Sequence, residues 1–112
     1  MGGLRVTADM PEVIQEIVTR LTEALKQELT PKQFEIVARE YYIGKRDACC
    51  PGMDDPKEWR LGSDFEDGIP IVIYKLETGT FFYRDPWTGK DEPIKGGKEE
   101  VLAHLKAWFY DI

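Results

Sequence analysis

A chain of 112 residues, 42% hydrophobic and 32% charged, has the make-up of one globular domain: short for two, and too apolar for a disordered segment. Its formal net charge of -6 speaks against a nucleic-acid backbone as partner, because gripping phosphates takes clustered Lys and Arg. No apolar run approaches the ~18 residues of a membrane span and no leader-like stretch opens the chain, so a cytoplasmic location is expected.

Residues 1–8 show no periodicity, and Gly2-Gly3 reads as a frayed start. A helix is predicted over 11–29. Asp9 or Met10 stands at its cap position, Pro11 suits the first turn, and Glu12 and Glu16 suit the positive end of the helix dipole. Ile14, Ile17, Val18, Leu21, Leu25 and Leu29 recur at steps of three and four, which gathers them into one core-facing stripe.

Thr30-Pro31-Lys32-Gln33 then reads as a capping box, with Pro31 at the tolerated first position of a second helix. Phe34, Val37, Ala38 and Tyr41 form its apolar stripe, and Gly44 is the expected stop. With so short a connection, the two helices should pack against each other. Residues 29–37, LTPKQFEIV, resemble the opening of the helix-turn-helix domain of LuxR-type response regulators. That resemblance implies two further helices with a basic recognition face. The residues that follow are instead Asp47-Ala48-Cys49-Cys50-Pro51-Gly52 and an acidic stretch, so the likeness stays local.

Residues 44–68 are rich in turn formers and hold seven Asp and Glu against four Lys and Arg. We read them as a long acidic loop pinned to the body by Trp59 and Phe65, with a short helical turn over 56–60.

Ile69-Pro70-Ile71-Val72-Ile73-Tyr74 is β-branched and aromatic without a charge, which suits a pleated surface packed on both faces. Gly79 supplies a turn, and Phe81-Phe82-Tyr83 returns as a second strand. Trp87-Thr88-Gly89-Lys90 reads as another turn, and Glu92-Pro93-Ile94 as a short third strand. Over 98–110, Val101, Leu102, Leu105, Trp108 and Phe109 mark the buried face of a last helix. The expected fold is α+β: two N-terminal helices, a long acidic loop, an antiparallel hairpin or meander of two or three strands, and a C-terminal helix packed on the sheet. Residues 1–112 form a single domain in this reading.

Four constellations bear on chemistry. Cys49-Cys50 is a poor disulfide, because adjacent Cα atoms lie about 3.8 Å apart and disulfides favour roughly 4.4–6.8 Å. As thiols the pair suits a redox switch or a soft metal, with His104 as the one available imidazole. The acids Asp54, Asp55, Asp64, Glu66 and Asp67 miss the spacing of a calcium-binding EF-hand loop. Tyr83, Arg84, Asp85 and Trp87 gather the residue types that dominate interfaces. No phosphate loop, nucleophile elbow or HExxH pair occurs. The leading expectation is a non-catalytic interaction or regulatory module without a cofactor. Its contact residues would be Trp59, Asp64, Glu66, Asp67, Arg84, Asp85 and Trp87. The partner would be another protein or a second copy, called for by an apolar hairpin with a face to cover. The alternative is a thiol-dependent enzyme or redox- or metal-responsive protein built on Cys49, Cys50 and His104.

Overall fold

A computed structural model describes residues 4–46, 55–63, 70–85 and 87–107. In chain order the elements are α1 (Glu12–Glu28), α2 (Pro31–Glu40), β1 (Tyr41–Arg46), β2 (Asp55–Ser63), β3 (Ile71–Lys75), β4 (Thr80–Arg84), β5 (Asp91–Pro93) and α3 (Gly97–Ala107). The fold is α+β, as expected, but the sheet is larger. Five antiparallel strands run in the order β1-β2-β3-β4-β5, a simple meander.

The predicted stripe of α1 is the one it buries: Ile14, Ile17, Val18, Leu21 and Leu25 all lie in the core. Its start differs. Pro11, not Asp9 or Met10, is the N-cap, and no side chain caps it. The Asp9 carboxylate accepts instead from the Thr7 hydroxyl at 2.6 Å, and Met10 is drawn into the core.

The capping box of α2 is present in both halves. Thr30 Oγ1 accepts from the Gln33 N–H at 3.2 Å, and Gln33 Oε1 accepts from the Thr30 N–H at 3.1 Å. Thr30→Ala removes the first bond, so thermal unfolding should show a loss of about 1 kcal/mol.

Helix α2 stops at Glu40, not at Gly44. Tyr41-Tyr42-Ile43 is an aromatic and β-branched run, and the pleated sheet offers it better packing than another helical turn. Tyr41 reaches the core all the same: it is fully buried, and its hydroxyl donates to the Leu105 carbonyl at 2.9 Å. Burial holds the phenol well above its usual pKa. The stretch read as a loop thus carries the end of one strand and the whole of another. The helical turn expected over 56–60 is part of β2, where Trp59 and Leu61 alternate with Glu58 and Arg60. A strand leads straight out of α2, so no second helix of a helix-turn-helix follows it.

The β3–β4 hairpin forms as predicted, with Gly79 at φ +65° in its turn. The register sorts the sheet into two faces. Tyr41, Ile43, Trp59, Leu61, Val72, Tyr74, Phe81 and Tyr83 share one, and it meets α1 and α3 in a single apolar core. On α3, Val101, Leu102 and Leu105 complete that core, while Trp108 and Phe109 lie outside the described residues. Three ion pairs, Arg20–Glu99, Lys98–Glu16 and Lys106–Glu28, run along the α1–α3 seam. They are exposed to water and orient the helices more than they stabilise them.

The opposite face carries no helix among the described residues, yet Ile71 and Ile73 are 5% and 0% exposed on it. Arg84 starts opposite Ile71, and its guanidinium ends on Glu58, which stands opposite Lys75, so this bridge spans β3 from β4 to β2. Both isoleucines are buried within one chain, so their apolarity by itself does not call for a partner. None of the described helices is long and apolar enough to cross a membrane.

Candidate functional site: the Trp87 turn and its charged footing

Between β4 and β5 the chain makes a turn whose conformation is set by one side chain. Asp85 Oδ1 accepts from the N–H of Trp87 at 2.7 Å and of Thr88 at 3.1 Å. The Asp85 carbonyl accepts from Gly89 N at 2.8 Å, and Asp85 N donates to the Lys90 carbonyl at 2.9 Å. Asp is suited to this because its short carboxylate reaches backbone amides two and three residues on. Gly89, at φ +73°, closes the turn in a region that disfavours any side chain. The product is a hydrogen-bonded platform from which Trp87 projects with 74% of its surface in water. A shallow hollow lined by Pro70, Tyr83, Thr88, Lys90 and Glu92 lies beside it.

Beneath the turn sits a network on the helix-free face. Arg84 makes two bonds to Asp91, at 2.6 and 2.9 Å, and two to Glu58, both at 3.0 Å. Lys75 adds a third cation–carboxylate contact, 3.0 Å to Asp91, and lies over the Phe82 ring. A planar guanidinium with five N–H groups is the one side chain able to grip two carboxylates in this way. Hydrogen bonding from Arg84, helped by Lys75, holds the Asp91 carboxyl at about 2, well below the usual range. The same carboxylates, Asp91 first and then Glu58, raise the guanidinium's own pKa.

A third group docks α3. The Tyr83 hydroxyl donates to Glu100 at 2.8 Å, and partial burial followed by that bond pushes the phenol up to about 12. His104 Nε2 lies 2.9 Å from the Pro70 carbonyl, and its ring lies tilted against Tyr83, the centroids 4.8 Å apart. A carbonyl only accepts, so Nε2 carries the proton here.

Of the residues expected to form a contact surface, Trp87 is exposed, Asp85 builds the turn that presents it, and Arg84 anchors the turn's base. Trp59 does not belong to that surface: it is 2% exposed, on the helix-covered side. Alternation with Glu58 and Arg60 puts it there. Asp64, Glu66 and Asp67 lie outside the described residues, as do Cys49 and Cys50, so His104 is the one member of the alternative set whose surroundings are described. Among the described residues no three His, Cys, Asp or Glu side chains are placed to hold a metal ion.

Sequence reasoning missed Glu58, Lys75 and Asp91. Asp91 was within reach, since extending the hairpin past the turn sets it opposite Arg84. Glu58 was not, because its place depends on a register two strands away. The chain was compared with protein-family models, with curated proteins and with solved structures, and it matches none of them.

Proposed function

We propose that this chain is a small non-catalytic protein-interaction or regulatory module whose contact element is the Trp87 turn. One observation carries the reading: a tryptophan 74% exposed at the tip of a turn whose backbone is already hydrogen-bonded. An exposed indole forgoes the free energy that burial would give, and a partner's surface could supply that burial. Binding through a rigid turn forfeits little conformational entropy, and tryptophan is prominent among interface hot spots. The net charge of -6 favours a basic protein surface as partner. The expected location is the cytoplasm, with no nucleic acid bound.

The test compares wild type with Trp87→Ala. The variant should melt within about 0.5 kcal/mol of wild type, because the side chain packs so little. It should lose a basic partner recovered by the wild-type chain, and binding should weaken as salt rises. Sedimentation of both proteins separates partner binding from self-association. A partner retained in full by Trp87→Ala sinks the assignment of the turn.

A further inference from the structure

We propose that the charge network on the helix-free face is the mount of the Trp87 turn: Glu58, from a distant strand, acts through Arg84 on Asp91 and so fixes how the indole is presented. The inference draws its significance from the interaction reading above, but it is tested without any partner.

The ladder alone holds this turn weakly. β5 is three residues long, lies at the sheet's edge and contains Pro93, which cannot donate. Arg84 and Asp91 form the last Cα pair before the turn opens at Asp85. Two side-chain anchors supplement that pair. On the core face Ile94 is buried, and its N–H donates to the Phe81 carbonyl at 3.0 Å. On the other face Asp91 is gripped by Arg84 and Lys75.

Arg84 is itself held from beyond β3. Its guanidinium is shared with Glu58, whose side chain is 12% exposed. A freely rotating arginine would lend Asp91 a charge but no position. One clamped at a second carboxylate lends both. Glu58, Arg84, Lys75 and Asp91 are therefore positioning residues for a turn that only Asp91 and Arg84 adjoin.

The experiment is backbone and indole 15N relaxation at Trp87, with the Gln33 amide, capped by Thr30 at the start of α2, as internal control. In the free wild-type protein both sites should be rigid, with order parameters of about 0.85. In Glu58→Gln, which keeps the shape and removes the charge, the amides of Trp87 and Thr88 should drop toward about 0.6 while Gln33 holds. Asp91→Asn should do the same or more. If Glu58→Gln fails to fold, Lys75→Met cuts the other, more exposed arm and should give a smaller drop at the same amides. Unchanged order at Trp87 in the folded variants overturns the inference, as does an equal drop at Gln33. Neither result touches the partner assay, which stands or falls on Trp87→Ala.

Discussion

Replacing Trp59 by alanine should destabilise the protein by about 3–5 kcal/mol, the range for truncating a large buried aromatic. The side chain is 2% exposed and sits in the same cluster as Tyr41, Leu61, Val72 and Phe81. Its removal deletes apolar contact from the centre of the sheet, beside Tyr74, its Cα partner on β3. A small domain has a total stability of about 5–15 kcal/mol, so the variant should melt many degrees lower or fail to accumulate. Denaturant unfolding with an unchanged slope is the measurement. Set beside Trp87→Ala, it separates two tryptophans that a sequence reading placed together. One is expected to cost much in stability and leave the turn's chemistry intact, the other the reverse. A loss under about 1 kcal/mol for Trp59→Ala would mean that the core is not closed where Trp59 sits.

The same pair shows what was legible and what was not. Local rules sufficed wherever the determinant was local. The α1 stripe, the Thr30–Gln33 capping box and the Gly79 hairpin each needed only side chains a few residues apart, and each is present. The turn read at Trp87-Thr88-Gly89-Lys90 is likewise present, and it is built on the carboxylate of Asp85 just before it. Failures came where pairing across the sheet decides. Tyr41 lies four residues after Val37 and fits a helical stripe as well as a strand, and pairing of Tyr41–Arg46 with β2 settles the matter. Around Trp59, Asp, Pro and Gly drew the reading toward a loop. The alternation of Trp59 and Leu61 with charged neighbours was visible but short, and it gained meaning only from β1 and β3 on either side. The inference from the hairpin's apolarity rested on a related step: it treated Ile71 and Ile73 as needing an outside cover, whereas both are buried within the chain itself.

Arg84→Met, which keeps an unbranched stem and removes the charge, should cost about 3 kcal/mol at pH 7, the low end of the range for a buried ion pair because this one is only partly buried. The loss comes from what stays behind. Glu58 and Asp91 lose the guanidinium that offset their desolvation, and only Lys75 remains to serve Asp91. Acid should then reveal the origin of the loss. The folded pKa of Asp91, about 2, lies below its unfolded value near about 3.9. Its contribution is therefore fully present above pH ~4 and disappears as pH falls through ~2. Wild type should lose stability across that window. The variant lacks the main cause of the depression, so its Asp91 titrates nearer the ordinary value and the wild-type advantage narrows as acid is added. Chemical unfolding of both proteins at pH 7 and at pH ~2.5 measures that gap. A gap equal at the two pH values would assign the loss to packing of the side chain and not to its charge.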